Sequence, residues 1–205
     1  MNKNDLVLCD LGAKMYGICS DITTTFPISG KFNQKQKDIY NIVLKAQKKS
    51  ISLIKIGSSY SSIQDIAFKI ILEGLKELNV LKGEIDEMFE EKIHFLFMPH
   101  SLGHYIGFRT HDVGFTRELN STLPIEEQYM YEPVTRDILK KGIITTVEPG
   151  IYFIEMLKQK AIQNEKQNKF INFDKWDYYF EVGGVRIEDC IYLDEDGGRI
   201  LTEVK

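Results

Sequence analysis

The chain has 205 residues, of which 43% are apolar and 11% aromatic, enough to bury one sizeable core in a single globular domain. Its 26 basic and 30 acidic side chains give a net charge of −4. Because no stretch concentrates lysine or arginine, this charge pattern argues against a nucleic-acid partner.

The three cysteines, Cys9, Cys19 and Cys190, form no CxxC pair, so neither a disulfide framework nor a zinc–thiolate site is indicated. No apolar run approaches the roughly 20 residues that span a bilayer, and the first residues do not open a signal peptide. We therefore expect a cytoplasmic chain with no membrane partner.

An antiparallel hairpin is predicted at the start of the chain. Residues 6–11 and 18–26 are short segments rich in β-branched side chains, joined by a loop that contains Gly17. With the turn centred near Met15 and Tyr16, Asp10 is expected to lie directly opposite Asp21.

Two helices follow. Asn33 is a good N-cap for an amphipathic helix whose apolar pattern continues until Gly57. Ser61 or Ser62 can cap a second helix with the same three-and-four spacing. A shorter helix is expected around residues 84–93.

The rest of the chain is predicted to mix strands with loops. Residues 95–113 are expected to be strand and loop, and residues 143–147 a strand. The segment 155–180 is rich in Lys, Gln and Asn, which favours an exposed helix-and-loop insertion. Residues 184–193 and 199–204 flank "DEDGG", which predicts a second hairpin.

Four acidic residues lie at strand positions among apolar neighbours: Asp10, Asp21, Glu148 and Glu188. Like charges directly opposite each other destabilise a strand pair. Two carboxylates that converge in half-buried strands are consistent with a cation between them or with a shared proton.

Three of the four histidines, His100, His104 and His111, lie within twelve positions. His104 follows Gly103, a small neighbour that permits close approach of a ligand or metal. We predict that His94, with no acid or glycine nearby, is a structural residue. An imidazole combined with carboxylates suits hard-leaning ions such as Mn²⁺.

The ordered motifs "CDLG", "SDIT", "MPHSLGHYIG", "HDVG", "VEPGIYF" and "VRIED" resemble those of the pita-bread metallopeptidases over nearly the whole chain. The resemblance implies an α+β fold in which a curved antiparallel sheet is flanked by helices. It also implies a dinuclear centre of two divalent ions, Mn²⁺ before Co or Zn, with ligands at five positions: Asp10, Asp21, His104, Glu148 and Glu188.

The same resemblance implies individual roles. Asp21 and Glu188 would bridge the ions, Asp10 would complete one site, and His104 with Glu148 the other. Glu148 would also shuttle a proton. The remaining roles are those of substrate-binding and catalytic groups, which fall to His100, His111 and Arg186. Arg186 would orient carboxylates or receive a free peptide terminus, with Arg136 a weaker candidate for the second task. For His100 the alternative is a purely structural role in the "MPH" turn.

Within the family, "SDITTTFPISGKF" and the long insertion between "VEPGIYFI" and "GGVRIED" make the chain similar to the eukaryotic prolidases, which are Xaa-Pro dipeptidases. An aminopeptidase P, which removes the residue before proline from longer peptides, is the alternative. A rival from another class is a non-catalytic module that binds peptides. A small Xaa-Pro peptide is thus the expected partner, and a homodimer is possible for the full-length form.

Met1 stands only nine residues before Asp10. Relatives have further helices and strands before this point, so we expect residues 1–205 to be the carboxy-terminal portion of the catalytic domain. An upstream histidine that the family uses near the substrate has no counterpart here, which makes the activity of this chain alone uncertain.

Asp21→Asn, His104→Ala and Glu188→Gln are each expected to remove both metal retention and turnover, because each deletes one ligand of a shared centre. Metal content is measured on the purified variants beside a peptidase assay. A variant that loses turnover with its metals fully bound would contradict the ligand roles.

Overall fold

The computed structural model describes residues 2–112 and 138–202. The strands are β1 (Leu6–Leu11), β2 (Lys14–Met15), β3 (Ile18–Cys19), β4 (Ile22–Pro27), β5 (Ile144–Val147), β6 (Gly150–Tyr152), β7 (Gly184–Arg186), β8 (Asp189–Asp194) and β9 (Gly197–Ile200). The helices are α1 (Gln34–Leu53), α2 (Tyr60–Glu77), α3 (Ile85–Glu90), α4 (Glu155–Gln163), α5 (Glu165–Asn168) and α6 (Phe173–Phe180), with a 3₁₀ turn at Ile93–Leu96. In the part of the chain described, none of these helices combines the length and apolarity needed to cross a membrane.

The first hairpin forms as predicted, but its register was predicted wrongly by two residues. Asp10 pairs with Thr23 and not with Asp21. The turn is centred on Tyr16 and Gly17, which both have positive φ, 51° and 87°. This is the backbone that a two-residue hairpin turn prefers, and glycine adopts it without steric cost. Since side chains alternate with a period of two, a shift of two leaves Asp10 and Asp21 on the same face.

Helices α1 and α2 pack against each other as the core of the chain. Asn33 caps α1 as predicted, and Gln36 completes a reciprocal capping box. The cap of α2 is Ser59 and not Ser61 or Ser62, so this helix begins earlier than predicted.

The C-terminal strands were predicted as one segment, 184–193, but the structure breaks this segment into two. β7 pairs with β6, whereas β8 lies between β5 and β9. The break falls at Ile187 and Glu188, and an isolated bridge joins Glu188 to Thr23 of β4. Glu188 therefore lies where the amino-terminal hairpin meets the C-terminal strands.

The segment 155–180 forms helices joined by loops, as predicted, but only its outer face is exposed. Trp176 is fully buried, and its ring centroid lies 4.5 Å from that of Phe97 and 5.7 Å from that of Phe153. Most of the Lys, Gln and Asn side chains lie on the outer face, whereas Gln167 is buried and the apolar side chains extend the core that α1 and α2 begin.

His94 lies away from the acidic residues in an aromatic cage, with ring centroids 4.3 Å from Phe68, 4.8 Å from Phe89 and 4.3 Å from Phe95. Its exposed fraction is 3%, and its Nδ1 has no hydrogen-bond partner among the described residues. Burial lowers the pKa of His94 to about 3. The geometry fits the predicted structural role.

His94→Leu should reduce the decrease in unfolding free energy that occurs when the pH is lowered from 7 to 5. The pKa of His94 is lower in the fold than in the unfolded chain, whose value is near 6.5, so the unfolded state binds the extra proton as the pH falls below that value. Between pH 7 and pH 5 this linkage costs about 2 kcal/mol of unfolding free energy in the wild type. Urea unfolding of both proteins at the two pH values measures the difference, and equal losses would rule the mechanism out.

Candidate metal centre

Asp10 and Asp21 reach the site from the first hairpin. Asp10 is in β1 and Asp21 directly precedes β4, where only 8% of it is exposed. Burial raises the pKa of Asp21, and the charge of Asp10 and a hydrogen bond between the two carboxyl groups raise it further. The two acids therefore meet diagonally across the hairpin, although they do not face each other directly.

His104 is held by β5. Its N–H donates to Thr146 Oγ1 at 3.0 Å, and its carbonyl accepts from Thr146 N at 2.8 Å. Gly103 permits this contact, since a Cβ at Gly103 would lie 2.3 Å from the carbonyl oxygen of Thr146. The absence of a side chain at Gly103 thus allows close approach of the neighbouring strand β5, and not of a ligand or metal as the sequence suggested.

The imidazole of His104 is oriented by its own backbone surroundings. Nδ1 lies 3.0 Å from the carbonyl oxygen of Tyr105, which fixes the proton on Nδ1 and leaves Nε2 with a free lone pair. Nε2 lies 3.5 Å from Asp21 Oδ2 and 3.5 Å from Glu148 Oε1. Burial lowers the pKa of His104, which favours the neutral ring that a metal requires.

Glu188 reaches the same point from the strand break. Its N–H donates to the carbonyl of Thr23 at 3.0 Å, and Thr23 Oγ1 donates to its Oε2 at 2.5 Å. Burial raises the pKa of Glu188 to about 7. One ligand atom each from Asp21, His104 and Glu188 lies within 4.8 Å of the others, and all three residues are buried.

Glu148 directly follows β5 and is the remaining acidic residue of the site. Its N–H donates to the carbonyl of Leu102 at 2.8 Å, and its Oε1 accepts from Thr146 Oγ1 at 3.2 Å. Burial raises the pKa of Glu148 well above its usual range, and the charge of Glu188 adds to this effect.

Arg186 is the cation that the described structure places among these acids. Its Nη2 donates to Asp10 Oδ2, and its Nε lies 3.9 Å from Glu148 Oε2. Nε also donates to Thr23 Oγ1 at 3.2 Å. This geometry favours the predicted orientation of carboxylates by Arg186 over the capture of a peptide terminus. Arg136, the weaker candidate for that capture, lies outside the described residues.

The other two histidines occupy different environments. His100 has both ring nitrogens engaged: Nδ1 lies 2.8 Å from the carbonyl oxygen of Ser101, and Nε2 lies 2.8 Å from the hydroxyl of Tyr152. Burial lowers the pKa of His100 to about 4. His111 is exposed, and its ring centroid lies 4.1 Å from that of His104. An open cleft runs from Asp10 and Asp21 past His111.

Sequence reasoning missed three polar residues that support the site, namely Thr23, Thr146 and Tyr152. The hydroxyl of Tyr152 accepts from Arg186 Nη1 at 3.2 Å and contacts His100. Two glycines make room for this side chain, since a Cβ at Gly150 would lie 2.4 Å from its hydroxyl oxygen and a Cβ at Gly184 would lie 2.6 Å from its ring atom Cδ1. Gly150 and Tyr152 lie on the same face of β6, and this alternation was the available signal.

The residues present fit a divalent cation. Asp21, Glu148 and Glu188 all have a raised pKa, because burial and mutual repulsion disfavour their negative charges. A bound cation would relieve this repulsion, and the donor set of carboxylates with one neutral imidazole contains no thiolate.

Thr23→Val should weaken Mn²⁺ binding by about 10-fold or more, because it removes the hydroxyl that orients the carboxylate of Glu188. Thr25→Val is the matched control. Thr25 is equally buried two residues along β4, but its hydroxyl bonds the backbone of Arg186 and not an acidic side chain. Titration calorimetry measures the Mn²⁺ affinity of both variants. A Thr23→Val variant that binds Mn²⁺ as tightly as Thr25→Val would contradict the role of Thr23.

The chain matches metallopeptidase family M24 over residues 1–195. A probable Xaa-Pro aminopeptidase of Verticillium alfalfae is 43% identical over 196 residues, which cover 96% of this chain and 42% of that protein. A probable Xaa-Pro aminopeptidase pepP of Emericella nidulans is 38% identical over 200 residues, covering 98% of this chain and 42% of that protein. The chain thus spans about two fifths of the length of these curated relatives.

Solved structures show the same similarity. A glutamate-to-alanine variant of Escherichia coli aminopeptidase P in complex with substrate is 33% identical, with a TM-score of 0.76, over 98% of this chain and 39% of that chain. The aminopeptidase PepP of Pseudomonas aeruginosa is 30% identical, with the same TM-score and coverage. These structures confirm the predicted α+β pita-bread fold, present in part. The relatives' names favour aminopeptidase P over the prolidase that the motifs suggested. The chain belongs to metallopeptidase family M24.

Proposed function

We propose that this chain carries the metal-binding part of an Xaa-Pro aminopeptidase, an enzyme that releases the residue preceding proline from the amino terminus of a peptide. The observation that carries the proposal is the convergence of Asp21, His104 and Glu188 to within 4.8 Å. The names of the relatives support this specificity. Because the chain spans only about two fifths of the length of these relatives, the activity of the chain alone is also part of the proposal.

The proposal assigns the metal to five side chains. Asp21, His104 and Glu188 form the centre of the site, whereas Asp10 and Glu148 flank it through their contacts with Asp21 and His104. When bound, a pair of divalent ions supplies Lewis-acid polarisation of the scissile carbonyl and activation of a water molecule. Mn²⁺ is the preferred ion, because oxygen ligands outnumber the single imidazole nitrogen.

The chain's own residues handle the proton and the substrate. Glu148 takes a proton and returns it to the leaving proline nitrogen, and the hydroxyl of Thr146 fixes the orientation of its carboxyl group. His111 is exposed beside His104, where its ring can donate to the oxygen of the tetrahedral intermediate.

His100 and Arg186 act mainly by positioning. Both ring nitrogens of His100 already have partners, so His100 supports the hydroxyl of Tyr152 and contacts substrate only through that side chain. Arg186 holds Asp10 against the cluster and balances part of its negative charge.

The Mn²⁺-loaded chain should cleave a tripeptide with proline in second position, such as Gly-Pro-Leu, faster than the dipeptide Gly-Pro. The cleft beside Asp10 and Asp21 is open, which leaves room for residues beyond proline. Release of glycine is followed by chromatography, with Glu188→Gln as the inactive control.

Preferential cleavage of Gly-Pro would replace the proposal with the dipeptidase function of a prolidase. Binding of both peptides without cleavage, or failure to bind metal after reconstitution, would instead favour the non-catalytic peptide-binding module.

A further inference from the structure

The main chain at Asp21 lies in a gap between strands. β4 begins at Ile22 and β8 begins at Asp189, and among the described residues one isolated bridge links the two, between Thr23 of β4 and Glu188 just before β8. Within residues 2–112 and 138–202, no backbone group hydrogen-bonds to the N–H or the C=O of Asp21. Such buried backbone groups cost free energy unless a side chain or water satisfies them.

Cys190 lies opposite this gap, and its own backbone N–H and C=O form hydrogen bonds on the side away from Asp21. Its carbonyl accepts from Leu201 N at 2.8 Å, and its N–H donates to Thr202 Oγ1 at 3.1 Å. The backbone of Cys190 therefore turns towards the end of the chain, and only its side chain can reach Asp21.

The thiol of Cys190 forms the two hydrogen bonds that no described main-chain group provides to the N–H and the C=O of Asp21. Sγ accepts from Asp21 N at 3.3 Å and donates to Asp21 O at 3.0 Å. The exposed fraction of Cys190 is 3%, so water does not compete for these bonds. A thiol can fill this place because it is both a weak donor and a weak acceptor.

We propose that Cys190 is a positioning residue for the metal centre: its thiol clamps the main chain of Asp21 and so fixes the carboxylate relative to His104 and Glu188. This inference rests on the proposed function, in which Asp21 is a ligand. Partners that orient a ligand typically contribute about 10- to 100-fold to metal affinity. The weakness of thiol hydrogen bonds places the expected effect at the lower end of that range.

Packing alone would give a different pattern of effects. Valine is about one methyl group larger than cysteine and has no hydrogen-bonding group, so Cys190→Val keeps the core filled and removes the clamp, and thermal unfolding reports any strain from the added methyl group. Serine restores a donor and an acceptor at the same position with a shorter reach. The pair therefore separates hydrogen bonding from filling of space.

The test is the Mn²⁺ affinity of the full 205-residue chain, measured by titration calorimetry on wild type, Cys190→Val and Cys190→Ser. We expect Cys190→Val to bind about 10-fold more weakly and Cys190→Ser to recover most of the loss. Cys9→Val replaces a half-buried thiol in β1 for which the described residues show no hydrogen bond to Asp21, so it is the control and should bind like wild type.

Thermal unfolding of the metal-free proteins shows whether each variant folds. A folded Cys190→Val that binds Mn²⁺ as tightly as wild type would overturn the positioning role while leaving the proposed function intact. A wild-type chain that binds no Mn²⁺ would instead refute the metal centre itself, and the positioning role with it.

Discussion

Mutual repulsion among buried carboxyl groups is the constraint around which this chain is arranged. Burial raises the pKa of Asp21, Glu148 and Glu188, and their proximity to other acids adds to the effect. Arg186 offsets part of this charge through Asp10 and Glu148. Without a cation, holding these acids close together lowers the stability of the fold. A bound divalent ion neutralises their charges, so the same arrangement favours metal binding.

The fold meets this constraint where strands stop pairing. The break between β7 and β8 places Glu188 beside Thr23, and the start of β4 places Asp21 where a side chain must complete its backbone bonds. Irregular strand positions leave main-chain groups free for such contacts, and side chains there point into a shared space. The regular packing of α1 against α2 supplies the stability that offsets these local costs.

Periodicity and turn signals predicted α1, α2 and the hairpins well, because these elements follow local rules, although the cap of α2 lies at Ser59 and not at the predicted serines. Local rules did not determine the hairpin register, since Tyr16 adopts a positive φ that its side chain does not favour. The burial of Trp176 depended on partners distant in the chain, Phe97 and Phe153. The motifs indicated which acids could converge, but the supporting contacts of Thr23, Tyr152 and Cys190 arise only from tertiary structure.

Anomalous diffraction from crystals grown with Mn²⁺ tests the central claim most directly. The account predicts anomalous peaks in contact with Asp21, His104 and Glu188, with Asp10 and Glu148 completing the coordination. The absence of any peak at this cluster at saturating Mn²⁺, or peaks bound only elsewhere on the chain, would contradict it.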